Sequence, residues 1–494
     1  MKQFIILTFL LLSIFQTQAQ EQKDVHLKLT LDEAIKIAET QSIYQFRQKN
    51  MYLAKYWNYR SYKAEKRPSL VLNTNPINYQ RTITTRYENG EDVLTPYENF
   101  TSSGSLDLTQ NITFTGGSIS ASSDFRRIEN LESGNLSYSS APISIGITQP
   151  LNGYNEFKWR SLSAPLEFEQ AKKEYLQSLQ ELSLRTVNMF FGLAEAEINI
   201  KIAETNLSNA DTLYQIGKGR FEIGTVTQDE LLDLELGYLN ARMSLSQAKI
   251  NLEQAKSAIN SFLGLEKNIH LECIIPSSIP SFKVEVDQAI TKAYDNNPDL
   301  LSYEQQLIEA NRKIAEARGR NGIDANVQVN LGYNKNSQEF SDVYNAPFDN
   351  QQIARLSLNV PIIDWGLKRG QVQMAKSDKQ VTEASIKQAK IDFEQNVFME
   401  VMRFNMQEDQ VKIAAKADTI AQKGYDVTKQ RFLIGKVDVI KLNSARNSVD
   451  AAKRNYIQSI QNYWQSYYNI REITLHDFKE NSTLIKELDY LLQR

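Results

Sequence analysis

The sequence predicts a mainly α protein with membrane β-strands, built from a helix–strand–strand–helix unit used twice. Three observations predict this: a repeat of long period, short stretches of period-two alternation, and helical stretches longer than globular domains use. The repeat crosses the midpoint. Arg220-Phe221-Glu222-Ile223-Gly224 recurs as Arg431-Phe432-Leu433-Ile434-Gly435, an offset of 435 − 224 = 211. Gln149-Pro150-Leu151 recurs as Val360-Pro361-Ile362, and 361 − 150 is again 211. Upstream, Leu31-Asp32-Glu33-Ala34-Ile35 matches Val286-Asp287-Gln288-Ala289-Ile290, at 286 − 31 = 255. The first half therefore carries an extra 255 − 211 = 44 residues between residues 35 and 150. So long a period is a duplicated structural unit rather than a solenoid of 20–50-residue repeats.

The chain opens with Met1-Lys2, an apolar run from Phe4 to Leu12, and the small-residue zone around Ala19. This pattern predicts a signal peptide over residues 1–20. The apolar run is too short to span a bilayer, and Gln16 and Gln18 end it early. No later apolar stretch approaches 18 residues, and the mean hydropathy is −0.45. Any membrane entry must then use β-strands. The single Cys273 excludes an internal disulfide framework. A net charge of −3 offers no basic field to nucleic acid. His26, His270 and His476 lack metal-ligand spacing, and no cofactor motif or catalytic constellation is present.

The first repeat is expected over 21–270, opening with a helix at 31–66 that Arg67-Pro68 ends. Leu70 and Leu72 alternate with Val71 and Asn73, so a strand is expected at about 69–80. Residues 81–140 are polar and are expected to form an extracellular insertion. Within it, Leu106 and Leu108 alternate with Asp107 and Thr109, and Thr115-Gly116-Gly117-Ser118 marks a tight turn. Ile143, Ile145 and Ile147 against Ser144, Gly146 and Thr148 define a strand at about 141–150. Helices follow at about 155–222 and 226–264. The first is some 100 Å long at 1.5 Å per residue. Two such helices joined by a tight turn form an α-hairpin, and their length disfavours an ordinary buried pair. A connector spans 271–285, and the second repeat spans 286–473. Its strands are expected at about 324–334 and 353–361, and its long helices at about 367–430 and 437–473. A charged tail covers 474–494.

Four short strands per chain, each with one apolar and one polar face, fit a wall between lipid and water. Four strands close no barrel alone, and open edges are excluded from hydrocarbon. Several chains must share one barrel; three would supply 3 × 4 = 12 strands. Two readings are open for Leu106–Phe125: an extracellular hairpin extending the barrel, or one of its strands taking the place of Leu70–Tyr79. The offsets favour the hairpin, because the second half lacks it.

These residues resemble the TolC family of outer-membrane efflux proteins. The resemblance covers nearly the whole mature chain. It is carried by the paired Arg-Phe-x-Ile-Gly turns, by Pro361-Ile362-Ile363-Asp364-Trp365-Gly366, and by the duplication at matching offsets. It implies a homotrimer in outer-membrane lipid, with a trimeric α-barrel of long antiparallel α-hairpins and a shared 12-stranded β-barrel. The implied partners are a periplasmic adaptor (membrane fusion) protein and, through it, an inner-membrane pump of RND or ABC type. No cofactor, metal or nucleic acid is implied, and no substrate is chemically changed.

By the same resemblance, the tip turns would dock the adaptor through Arg220, Phe221, Ile223, Gly224, Arg431, Phe432, Ile434 and Gly435. Better-known members place two Asp after the second turn Gly, at positions that here are Lys441 and Ser444 (435 + 6 and 435 + 9). The acidic ring is therefore missing from that place. Glu230, at 224 + 6, does match an acidic position. Glu230, Asp438, Lys441 and Ser444 are thus the candidates for a periplasmic gate, with a Glu230–Lys441 ion pair as one form of it. A solvated surface pair is the plainer alternative. Two other classes remain open: a periplasmic coiled-coil structural or tethering protein, and an enzyme on a helical scaffold. The alternating strands argue against the first, and the missing catalytic constellation against the second.

Overall fold

The structure, a computed structural model, describes residues 25–88, 90–151, 153–266, 269–276, 278–320, 323–485 and 491. The expected signal peptide lies outside them. The described residues divide into two compact units: those of 25–50, 175–296 and 396–485 form one, and those of 51–174, 297–395 and 491 the other.

The helices are α1 (Leu31–Gln41), α2 (Ile43–Glu65), α3 (Glu156–Glu222), α4 (Gln228–Leu263), α5 (Val286–Asn296), α6 (Pro298–Arg320), α7 (Leu367–Leu433) and α8 (Val439–Thr474). The duplication holds to the residue at element ends. The starts of α5 and α6 lie at 286 − 31 = 255 and 298 − 43 = 255 from those of α1 and α2. The starts of α7 and α8 lie at 367 − 156 = 211 and 439 − 228 = 211 from those of α3 and α4. Both α3 and α7 have 67 residues. Pro165 lies inside α3, where it removes one backbone donor without ending the helix.

The single helix expected at 31–66 and its counterpart at the start of the second repeat are each broken once, at equivalent positions (297 − 42 = 255). Ser42 is extended at φ −67°, ψ 142°, and its hydroxyl accepts from the Gln45 N–H at 3.1 Å, capping α2. Asn297 does the same for α6, its side chain accepting from the Asp299 N–H at 2.8 Å. Pro298 fills the first helical position, where no N–H is missed. An Asn-Pro pair is a readable boundary signal; a lone Ser is not.

In the first unit, β1 (Val25–Thr30) pairs in parallel with β6 (Ile269–Ile274). Neither strand is anticipated above, although both alternate in sequence. The Thr30 side chain then starts α1 through a capping box with Glu33. Phe190, Phe191, Leu182 and Leu193 of α3, Ile259 and Leu263 of α4, and Tyr463 and Ile460 of α8 are fully buried here. The tail adds a short antiparallel pair, β9 (His476–Asp477) and β10 (Ser482–Thr483).

In the second unit, Phe168 of α3 stacks on Tyr59 of α2 with centroids 4.8 Å apart. Arg312 of α6 binds Glu309 at 2.5 Å, Glu316 at 2.9 Å and the Tyr154 hydroxyl at 3.1 Å. The rest is one antiparallel sheet. Its strands are β2 (Ser69–Glu88), β3 (Glu91–Ile112), β4 (Gly117–Asn130), β5 (Leu136–Pro150), β7 (Asp324–Ser337) and β8 (Asp349–Asn359), ordered β2-β3-β4-β5-β7-β8. The first half thus supplies four strands rather than two. Most of the stretch expected as a polar insertion at 81–140 is strand. The strands also outrun the short segments expected: β2 has 20 residues and β3 has 22. Their outer parts carry Thr, Tyr and Ser without apolar alternation, so the pattern fades while the ladder continues. Register shifts fall at Asn75/Asn78 and at Ser140/Ile143, beside Pro76 and Pro142. Proline cannot donate to a ladder, so it sits at such interruptions.

Candidate functional site: two helix-hairpin turns and the sheet face

The two α-hairpin turns close identically. At the end of α3, the Gly224 N–H donates to the Phe221 carbonyl and the Thr225 N–H to the Arg220 carbonyl, both at 2.9 Å. At the end of α7, the Gly435 N–H donates to Phe432 O and the Lys436 N–H to Arg431 O, again both at 2.9 Å. Each is a Schellman motif, with the glycine at the left-handed position. Gly224 has φ +76° and Gly435 φ +73°, where a Cβ would clash with the backbone. The paired Arg-Phe-x-Ile-Gly sequences are thus first of all helix stops. Their side chains part company: Phe432 is buried at 7% exposure, whereas Phe221 is 41%, Ile223 73% and Ile434 66% exposed. Phe432 is turned inward; Phe221, Ile223 and Ile434 are presented outward.

Three residues beyond each glycine stands the cap of the return helix. Thr227 starts α4: its hydroxyl accepts from the Glu230 N–H at 3.4 Å, and the Glu230 carboxylate accepts from the Thr227 N–H at 2.9 Å. This capping box accounts for the acid at Glu230. Asp438 starts α8 alone, accepting from the Lys441 N–H at 2.8 Å. Asp229, beside Thr227, is held below the usual carboxylate range by the hydrogen bond from the Thr227 side chain. Two of the four gate candidates, Glu230 and Asp438, are therefore occupied as caps. Among the described residues, no ion pair forms between Glu230 and Lys441. Lys441 and Ser444 are exposed in the first turns of α8.

The sheet carries the second functional surface. One row runs across it in register: Leu70↔Leu108↔Ala121↔Ile145↔Leu331↔Gln352. The adjoining row on the opposite face is Val71↔Asp107↔Ser122↔Ser144↔Gly332↔Gln351. One face is thus largely apolar and the other largely polar. The apolar side chains stand open in the single chain, with Leu70 at 62% and Leu331 at 51% exposure. Among the described residues, both edges, β2 and β8, lack a partner strand. No described helix is long and apolar enough to cross a membrane.

A two-faced antiparallel sheet joined to duplicated long α-hairpins defines a class: outer-membrane channel proteins with an α-helical extension. The chain belongs to the outer membrane efflux protein family, whose model matches residues 111–265 and 289–474. Protein CyaE of Bordetella pertussis is 22% identical over 232 residues, 46% of this chain. The match spans 48% of that relative's own length. Among solved structures, the Campylobacter jejuni CmeC outer membrane channel aligns with a TM-score of 0.66 at 14% identity, over 94% of this chain and 89% of that one. A membrane protein from Pseudomonas aeruginosa gives 0.63 at 14% identity, over 94% of both chains. The open-state MtrE outer membrane channel of Neisseria gonorrhoeae gives 0.58 at 15%, over 90% and 88%. At these identities the likeness is one of fold. The expected fold class and the outer-membrane location stand: a mainly α chain with strands, duplicated, of the α-barrel and β-barrel channel type. Family and fold are those of passive channels.

Proposed function

We propose that the chain is the outer-membrane duct of a tripartite efflux or type I secretion assembly. It works as a homotrimer that conducts substrate passively from a periplasmic adaptor and an inner-membrane pump to the exterior. One observation carries this reading. The same chain holds a sheet with an exposed apolar face and open edges, and two 67-residue helices ended by matching turns. The apolar face needs lipid, and the open edges need neighbouring copies. Conduction breaks no bond, so this reading asks for no catalytic constellation.

The turns are the adaptor-docking tip. Phe221, Ile223 and Ile434 supply apolar contacts for a helical hairpin of the partner. Arg220 and Arg431 lend their carbonyls to the two stops, and Gly224 and Gly435 hold the shape. Closure of the tip falls to Lys441 and Ser444, because the caps use Glu230 and Asp438. The test is planar-bilayer conductance of the purified protein, with its mass measured in the same detergent. A trimeric mass with discrete channel steps supports the duct. A water-soluble monomer without conductance overturns it and favours the tethering reading. Lys441→Ala should raise single-channel conductance; an unchanged value removes Lys441 from the gate.

A further inference from the structure

The extra residues of the first half form two complete strands of the sheet, and we propose that three chains therefore close an 18-stranded barrel. This rests on the trimeric duct reading and goes beyond it in strand number and width. A polar insertion outside the membrane would leave the sheet at its outer end. β3 and β4 instead run its full height, between β2 and β5. Their connecting turn lies at the helical end. There the Asn155 side chain, just before α3, donates to the Thr113 and Phe114 carbonyls at 3.2 and 3.0 Å. The Gln110 side chain donates to the Lys66 carbonyl, just after α2, at 3.0 Å. The chain thus passes up β2, down β3, up β4 and down β5, each pair antiparallel.

The faces agree. Leu108 and Ala121 occupy the same row and the same face as Leu70, Ile145 and Leu331. Asp107 and Ser122 lie in the polar row beside Ser144. In the β3–β4 turn, Phe114 is 91% exposed at the end of the sheet where Trp365, following β8, is 95% exposed. Aromatic residues at that level mark a barrel's interface with water. Among the described strands, β2 joins the rest of the sheet only through β3 and β4, so the hairpin cannot be removed from the wall without re-pairing it. Six strands from each of three chains make 3 × 6 = 18. Barrel diameter grows roughly linearly with strand number, so the bore is about 1.5-fold wider than that of 12 strands.

The test uses the full-length protein in nanodiscs, with Cys273→Ser as background. Single cysteines at Leu108, Ala121 and Leu331 each carry a fluorophore and, being in one row, sit at one depth. Two further cysteines replace Asp107 and Ser122. Nitroxide-bearing lipid is the quencher, and mass is measured in parallel. The expected result is a trimer in which labels at Leu108 and Ala121 lose emission to the same extent as the one at Leu331. Labels at Asp107 and Ser122 should keep theirs. A trimer quenched at Leu331 but not at Leu108 and Ala121 overturns the 18-strand wall and leaves the duct intact. No quenching at Leu331 overturns the membrane reading itself, and the proposal with it.

Discussion

Gly224 and Gly435 show how much a single residue decides. Each holds a left-handed turn that a Cβ destabilises by roughly 1–2 kcal/mol. Gly224→Ala should therefore raise amide hydrogen exchange in the last turn of α3 and weaken adaptor binding, while leaving the trimer mass unchanged. The same substitution at Gly435 should act on α7. Thr227→Ala should cost about 1 kcal/mol through the lost cap, read as faster exchange at the start of α4 with unaltered conductance. Residue-scale chemistry also sets one pH dependence. His476 is buried, its Nε2 lies 3.3 Å from Asn481 Oδ1, and its Nδ1 has no partner. A proton on Nδ1 would add a buried donor without an acceptor. Burial holds this imidazole below its ordinary pKa of 6.5. Between the depressed folded value and 6.5 the unfolded chain binds more protons, so stability is full above pH 6.5 and falls as pH drops below it. His476→Gln should flatten that acid-side loss of melting temperature; an unchanged pH profile would remove His476 from the account.

Elements were legible where their periodicity was strong. The long helices, the strands around Leu70, Ile145, Leu331 and Leu356, and the turns at Gly224 and Gly435 all carry clear patterns in sequence. The break at Ser42 carries no local signal, whereas the one at Asn297 is marked in sequence by the Asn-Pro pair. β1 and β6 were missed because each is too short to stand without its distant parallel partner. The hairpin of β3 and β4 was visible only as weak alternation around Leu106 and Ile119, in a stretch otherwise rich in Ser and Thr. Ladder bonds to β2 and β5 stabilise those residues as strands, and no local pattern records such partners. Burial marks the element that anchors the first unit: Phe190 of α3 is fully buried and meets Phe191 edge-on at 5.3 Å. Phe190→Ala should cost about 3–5 kcal/mol, measured as a lower denaturation midpoint. A loss under half that size would show that the site collapses around the cavity.

At the scale of the whole molecule, the proposed trimer gives the apolar sheet face lipid and gives the edges of β2 and β8 other copies to pair with. Diluting the detergent-extracted trimer should not yield a stable folded monomer, because separation exposes six edge strands, two per chain. A monomer that keeps its β-signal in circular dichroism would contradict that coupling. The sequence by itself determined the duplication, the helix lengths, the two turn glycines and the need for a β-type membrane entry. Each of these follows from local composition or from a repeat that any reader of the chain can align. The cap roles of Glu230 and Asp438 follow from three-residue spacings that the sequence already carries; only the tertiary structure decided that Phe432 is buried while Phe221 is offered outward, and that the sheet has six strands. Those outcomes depend on which side chains meet across the fold and on which strands share a ladder. Such contacts join residues whose spacing in the chain carries no trace of their meeting.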